Sequence, residues 1–315
     1  MEIIEVNLLE ALRGVLTSPA EAQPERFREQ VMEPLRPVWE PIRRYMPPGA
    51  DGADPALAVA RTLKLYRPEL DAESGLGALD TLAAADVFGQ NRAALEQAVQ
   101  ALNPGQNGIS LQEVHLVLTL AEPGGLGEDG YTGAGNTPGW VMLSVWPQAL
   151  PDGADNFCRL PAITAHEFNH NVRFAQPDWT FPMTLGAYLV AEGLAECFAA
   201  ELHGEASLGS WTTTLREPEL RALAPRYGAA LLEQDFGLVR GYIFGDAVME
   251  NFGGLSGKQA KLGIPPYAGY ALGYHVVRDY LARTGRSAAQ ATYDPWRVIV
   301  AGSGWFTVTD GGQER

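Results

Sequence analysis

The chain has 315 residues, and its 23 basic against 38 acidic side chains give a formal net charge of −15. This acidity argues against nucleic acid or an anionic membrane as the main partner, because both require a basic face. A hydrophobic fraction of 46 %, with no apolar run near the ~18 residues of a membrane span, is typical of a soluble globular protein. The first residues lack the basic and apolar regions of an export signal, and two cysteines cannot build a disulfide framework. We therefore expect a cytoplasmic location with reduced thiols.

Residues 1 to about 105 are predicted to be mostly helical. The apolar stripe from Phe27 to Tyr45 has helical spacing, but three prolines within it predict a kinked or broken helix. Asp54 and Pro55 are typical of a helix start, and a later amphipathic helix is predicted to end at Asn103. No cluster of His, Cys or acidic residues here indicates chemistry, so we interpret this part as a helical N-terminal region.

Two short runs rich in β-branched and aromatic residues, Val114–Leu120 and Trp140–Trp146, predict strands. The segment between them, Ala121–Gly139, contains seven glycines and is predicted to be a loop, either a mobile loop beside a cleft or a plain connector. Its Gly133-Ala134-Gly135 does not qualify as a dinucleotide-binding motif. That motif must open a helix, whereas this segment runs into a strand.

A helix predicted over residues 163–174 carries His166-Glu167-Phe168-Asn169-His170, an H-E-x-x-H motif. On a helix the two histidines lie four residues apart on one face, where both imidazoles can bind one zinc ion. Glu167 is then placed to act as general base on a water at the metal. This motif is the strongest indication of chemistry in the chain.

A catalytic zinc site needs a third protein ligand and an open position for water. Arg173 and Gln176 stand where a metzincin would have glycine and histidine, which excludes that class. The next helix, predicted over residues 185–202 after a Thr184 cap, contains Ala191-Glu192-Gly193-Leu194-Ala195-Glu196. It offers a glutamate as the third ligand.

We assign Glu192 as that ligand because Gly193, which costs about 1 kcal/mol inside a helix, makes sense where two helices approach closely. Glu196, one turn later, would accept the other ring N–H of a ligating histidine. The reverse assignment of the two glutamates stays open. His115 is interpreted as a core or edge histidine, and Cys158 and Cys197 as buried hydrophobic residues, rather than as metal ligands.

The two motifs, together with the later Ile264–Tyr274, resemble the gluzincin-type metallopeptidases over roughly residues 110 to 300. More narrowly, the chain resembles the YjaZ-like domain-of-unknown-function family of predicted zinc-dependent proteases. The resemblance implies a peptidase-like fold, Zn²⁺ as the cofactor and a peptide or protein substrate. It also implies that a strand beside the active-site helix, here Trp140–Val145, pairs with extended substrate.

The last clear helix, predicted over Tyr267–Leu281, repeats glycine and tyrosine at intervals of four residues. One interpretation is tight helix packing with aromatic filler. The other, favoured by the resemblance, is that a phenol donates a hydrogen bond to the oxyanion of the reaction, with Tyr270 as first choice and Tyr274 or His275 as alternatives.

The sequence therefore predicts an α+β, mainly helical protein: a helical N-terminal region (1–105), then a zincin-like metallopeptidase core with a small β-sheet as the catalytic domain (106–315). The predicted function is a zinc metallopeptidase of gluzincin type. Two alternatives remain, a zinc metallohydrolase of a non-peptide substrate and a non-catalytic zinc-binding or chaperone-like protein. A structural zinc in the last case would be closed by four protein ligands.

Overall fold

The computed structural model describes residues 1–43, 54–251 and 261–306. Most of the regular structure is helical and one small sheet accompanies it, which confirms the predicted α+β, mainly helical class. The chain divides into two compact units, residues 1–171 and 172–315, which we describe in turn. The predicted domain boundary near residue 105 stays a prediction. Tyr45 and the C-terminal residues 310–315, predicted to be frayed, lie outside the described residues.

One helix of the first unit begins where the sequence predicts it. Asp54 caps the fourth helix by accepting a hydrogen bond from the backbone N–H of Ala56 at 2.9 Å. A π-helical turn, Arg28–Met32, interrupts the proline-containing stripe, so that stripe is broken as expected. The helices are α1 (Leu8–Leu16), α2 (Gln23–Phe27), α3 (Arg36–Arg43), α4 (Pro55–Thr62), α5 (Ala72–Ala84), α6 (Val87–Leu102) and α7 (Leu160–Arg173).

The sheet has four strands in the order β1-β2-β4-β3. The first three are parallel to one another, and β3 runs antiparallel to β4. Most residues of β2 and β4 are buried, which agrees with their nearly continuous apolar sequences. The strands are β1 (Glu2–Asn7), β2 (Glu113–Leu120), β3 (Tyr131–Ala134) and β4 (Trp140–Val145).

Two strands correct the sequence predictions. β1 lies in the region that is predicted to be mostly helical. It forms a strand because it pairs with β2, which lies more than 100 residues later in the chain. β3 lies inside the segment predicted to be a loop; its four residues include a glycine and are too few to carry a recognisable alternation. β2 pairs along all of β4 on one side, and β3 pairs with Met142–Val145 on the other, so the edge strand here is β3 rather than β4.

Helix α7 is fixed within the first unit by polar as well as apolar contacts. Thr164 donates a hydrogen bond of 2.7 Å to the side-chain oxygen of Asn91 on α6, and both residues are fully buried. The helix begins three residues before the predicted position, and Pro161 occupies its first turn, where the fixed φ of proline suits a helix. The helix that carries the H-E-x-x-H motif is therefore anchored to α6 by a buried hydrogen bond near its N-terminal end.

The second unit is built around two long helices, α8 and α13. Thr184 caps α8 by accepting a hydrogen bond from the Ala187 N–H at 3.2 Å, as predicted. Within the described residues, no helix combines the length and apolar character that a membrane span requires. The helices are α8 (Leu185–His203), α9 (Ser210–Thr213), α10 (Glu217–Ala230), α11 (Phe236–Phe244), α12 (Asp246–Asn251), α13 (Ala268–Thr284), α14 (Ala288–Ala291) and α15 (Trp296–Ser303).

Glycines let the helices of the second unit approach closely. A Cβ on Gly193 of α8 would overlap the carbonyl oxygen of Gly273 on α13, and a Cβ on Gly273 would overlap the carbonyl oxygen of Leu189. A Cβ on Gly269 would lie 2.5 Å from the Cα of Ile243 on α11. The backbones are thus in direct contact, which explains a costly glycine directly after Glu192 and agrees with the packing interpretation of the glycines of α13.

Candidate metal centre

Helix α7 presents His166, Glu167 and His170 in a buried environment, with exposures of 6 %, 8 % and 6 %. The two imidazoles meet edge to face, with ring centroids 4.7 Å apart and planes at 89°. This follows from the four-residue spacing, which places both side chains on one face of the helix. Three buried polar side chains within five residues require a compensating interaction.

His166, His170 and Glu192 form a group whose ligand atoms all lie within 4.8 Å of one another, and all three residues are buried. Two imidazoles and one carboxylate are a donor set typical of a catalytic zinc site, which leaves one position for water. No metal-binding group that includes a cysteine occurs in the described part of the chain. The residues present therefore fit a zinc ion.

The cysteines are placed differently from one another. Cys197 is buried, and its Sγ donates to the backbone oxygen of Tyr274 at 3.6 Å. Burial, followed by nearby carboxylates, raises the pKa of the Cys197 thiol well above its ordinary value, so it stays protonated. Cys158 is exposed, so the prediction of a buried residue holds only for Cys197.

The edge strand β3 lies directly against Glu167. A Cβ on Gly133 would overlap the carboxylate of Glu167, and a Cβ on Gly135 would overlap its backbone carbonyl oxygen. Gly133 and Gly135, which do not form a dinucleotide-binding motif, thus have a packing role. Because they lack side chains, the helix can pack closely against this segment. The sequence shows the two glycines but not what they contact.

Asn171, which the sequence analysis missed, ties this segment to the helix. Its Oδ1 accepts a hydrogen bond from the Gly139 N–H at 2.6 Å, and its Nδ2 donates to the carbonyl oxygens of Gly135 and Trp140, both at 2.9 Å. Asn171 is 3 % exposed. The available signal was its spacing, because Asn171 lies four residues after Glu167 and therefore on the same helix face.

We expect Gly135→Ala to destabilise the protein by about 1–3 kcal/mol, because the added methyl group meets the backbone of Glu167. Thermal or urea unfolding measures the loss. Gly105→Ala is the matched control, since a Cβ there has no neighbour within 4 Å. Equal stability of the two variants would show that the segment directly after β3 does not lie against α7 as described.

Glu196 is 2 % exposed and accepts a hydrogen bond of 2.5 Å from the indole Nε1 of Trp211. Trp211 lies on α9, a four-residue helix that sequence patterns did not identify as part of the site. The indole holds the carboxylate in place on α8. The predicted role of Glu196 toward a ligating histidine stays a prediction.

The candidate tyrosines occupy different surroundings on α13. The ring of Tyr270 is 5.7 Å from that of Phe244 and 6.1 Å from that of Tyr267. Tyr274 is 8 % exposed, and its ring is 5.6 Å from His275. Burial, then the thiol of Cys197 and nearby carboxylates, raises the pKa of Tyr274 to about 12, whereas burial lowers the pKa of His275.

His115 and Arg173 have structural partners. The His115 ring stacks on Trp140 at 4.1 Å, which agrees with the structural interpretation of this histidine. Arg173 is fully buried; its guanidinium donates to Asp178 at 2.5 Å and to the backbone oxygen of Asp294 at 3.1 Å. Residue 173, where a metzincin would have glycine, is thus an arginine that forms an ion pair with Asp178.

Comparison with known proteins identifies the family. Residues 92–300 match the family model described as "Predicted Zn-dependent protease (DUF2268)". The "Uncharacterized protein YjfC" of Bacillus subtilis (strain 168) is 30 % identical over 313 residues, which cover 98 % of this chain and all of the relative. No solved structure matches significantly. Together with the buried His-His-Glu group, these matches show that the chain belongs to this family of predicted zinc-dependent proteases.

Proposed function

We propose that this protein is a zinc metallopeptidase of gluzincin type that hydrolyses peptide bonds. His166, His170 and Glu192 would hold the zinc ion, and Glu167 would be the general base. The observation that carries the proposal is the buried His-His-Glu group, with a second buried carboxylate, Glu167, on the same helix as the two histidines. Three ligands rather than four favour catalysis over a structural metal.

A zinc ion held by His166, His170 and Glu192 would polarise the scissile carbonyl and would lower the pKa of water toward ~7. Glu167 accepts a proton from the attacking water and later delivers it to the leaving amine. Its carboxylate lies against β3, where the absence of a side chain at Gly133 makes room for that carboxylate. The proposed base is therefore a buried carboxylate beside the edge strand.

The edge strand offers a second element of the proposal. β3 pairs with β4 on one side, and in the described residues no strand pairs with its other side. An extended peptide can add to such an edge through backbone hydrogen bonds. Because Gly133 of β3 meets the carboxylate of Glu167, a peptide bound there would pass next to the general base.

Tyr270 is proposed as the hydrogen-bond donor to the developing oxyanion. Tyr270→Phe is expected to lower kcat about 10²–10³-fold with a smaller change in KM, because the bond forms mainly in the transition state. Steady-state kinetics on one peptide measures both constants. The same substitution at Tyr274 discriminates between the candidates, and a comparable loss there with none at Tyr270 would contradict the assignment.

The test of the proposed function is cleavage of a peptide library by the zinc-loaded protein, read by mass spectrometry. We expect defined cut sites that disappear with a chelator and return when zinc is added back. Intact peptides alongside hydrolysis of a small ester or amide would instead support a hydrolase of non-peptide substrates. Zinc that resists the chelator, without any hydrolysis, would support a structural metal.

A further inference from the structure

A group of partly exposed side chains surrounds Arg240 in the second unit. Its guanidinium carbon lies 5.6 Å from the ring centroid of Phe236 and 5.3 Å from that of Phe244, both on the same helix, α11. The ring of Phe244 is in turn 5.7 Å from that of Tyr270 on α13. We refer to Tyr188, Phe236, Arg240, Phe244 and Tyr270 as the arginine cluster.

The surroundings of Arg240 suit the binding of an anion. Burial lowers the pKa of Arg240, and the phenols of Tyr188 and Tyr270 act in the opposite direction. An arginine remains charged under such conditions, since its ordinary pKa lies above 12. A partly buried cation attracts an anion more strongly than one in free water, and a guanidinium matches the two oxygens of a carboxylate.

The arginine cluster lies next to the helix face that carries Glu192. Tyr188 precedes Glu192 by four residues on α8, so the two side chains share one face. Within Leu185–Ala199, all of which the structure describes, Tyr188 is the one residue that is not buried. Solvent therefore reaches this helix one turn before the proposed zinc ligand, at the arginine cluster.

An exposed apolar surface borders the cluster. Phe181 is 66 % exposed and Phe236 is 39 % exposed, and their ring centroids are 6.1 Å apart. Gln234 donates a hydrogen bond of 3.1 Å to the carbonyl oxygen of Pro182, which joins the segments that carry the two phenylalanines. Large exposed aromatic side chains beside a cation indicate a binding surface rather than a core defect.

We propose that Arg240 binds a carboxylate of the substrate and that Phe181 and Phe236 contact the apolar side chain next to it. A peptide whose last residue is apolar supplies both groups, through its C-terminal carboxylate and its side chain. An Asp or Glu side chain near an apolar residue would supply the same chemistry. The proposal deepens the proposed function, since it names the kind of substrate that the same site would accept.

The test measures binding and needs no turnover. Zinc-loaded Glu167→Gln protein is mixed with three pools of random hexapeptides, and retained peptides are quantified by mass spectrometry. The first pool ends in phenylalanine with a free carboxylate, the second in phenylalanine amide, and the third in phenylalanine amide preceded by glutamate. We expect about tenfold greater retention of the first pool than of the second, because a charge-assisted, bidentate contact is lost in the amide.

Substitutions of Arg240 identify the cation responsible. Arg240→Gln, made in the same background, should abolish the preference for the free C-terminal carboxylate. Arg240→Lys should keep part of that preference, since lysine retains the charge but cannot donate two parallel hydrogen bonds as a guanidinium does. Arg226→Gln is the matched control: Arg226 also lies over an aromatic ring, that of Tyr242 at 5.8 Å, but is exposed on α10. It should leave the preference unchanged.

The outcomes are distinguishable from those of the proposed function. Strong retention of the third pool that depends on Arg240 would support the carboxylate site with a side chain as its source. Equal retention of all pools, or a preference that survives Arg240→Gln, would overturn the inference even if the protein is a peptidase. An Arg240-dependent preference in a protein that cleaves no peptide would support the carboxylate site and contradict the peptidase.

Discussion

Replacing Glu167 by glutamine is expected to reduce peptide hydrolysis about 10²–10⁴-fold while the zinc content stays unchanged. Glutamine has nearly the same shape but cannot accept a proton from water. Glu167 is also not among the three residues whose ligand atoms form the metal group, so its removal should leave the ligand set intact. The measurement is kcat on a library-derived peptide, together with metal analysis of the same sample.

A matched substitution separates the chemistry from general effects of charge. Glu96 is also a glutamate on a helix of the first unit, but it is exposed and pairs with Arg92 at 3.4 Å. Glu96→Gln should keep full activity. Loss of zinc from the Glu167 variant would contradict the general-base assignment, and so would activity close to that of the wild type.

Gly193→Ala is expected to destabilise the protein by about 3 kcal/mol and to weaken zinc binding. In an open helix this substitution would stabilise, since alanine is favoured over glycine by about 1 kcal/mol. Here the added methyl group overlaps the carbonyl oxygen of Gly273, and neither backbone can yield without moving a buried helix. A shift of α8 also moves Glu192, the adjacent residue. Urea unfolding and zinc titration measure the two effects.

Gly77→Ala provides the internal comparison. Gly77 lies inside α5, is exposed and would have no atom within 4 Å of an added Cβ. We expect this variant to be equal to the wild type or up to about 1 kcal/mol more stable. If Gly193→Ala behaved in the same way, the direct backbone contact between α8 and α13 would be wrong.

Local signals in the sequence were sufficient where the structure depends on local chemistry. The Thr184 cap and Pro161 locate the starts of α8 and α7, because capping and proline geometry depend on adjacent residues alone. The helical spacing of His166 and His170 likewise predicts a shared face. Gly193 predicted a close helix contact because its cost in a helix needs an explanation, although the sequence did not name its partner.

The remaining features depend on residues far apart in the chain. β3 forms because β4 provides a ladder, not because its own four residues favour a strand. The contact of Gly135 with Glu167 and the bonds of Asn171 join positions about 30 residues apart, and no periodicity reports such contacts. The hydrogen bond from the Trp211 indole to Glu196 also joins residues on two different helices, and no local pattern predicts it. Two local motifs thus indicated that His166, His170 and Glu192 could lie together, whereas no local pattern indicated the residues that surround them.

The zinc content of purified wild-type protein and of ligand variants tests the central claim most directly. We predict about one zinc ion per chain in the wild type, and loss of zinc in folded His170→Ala and Glu192→Ala. Glu196→Ala should still bind zinc, with affinity lowered about 10–100-fold. A wild-type protein that binds no zinc, or a Glu192→Ala variant that retains it at full affinity, would contradict the proposed His-His-Glu centre.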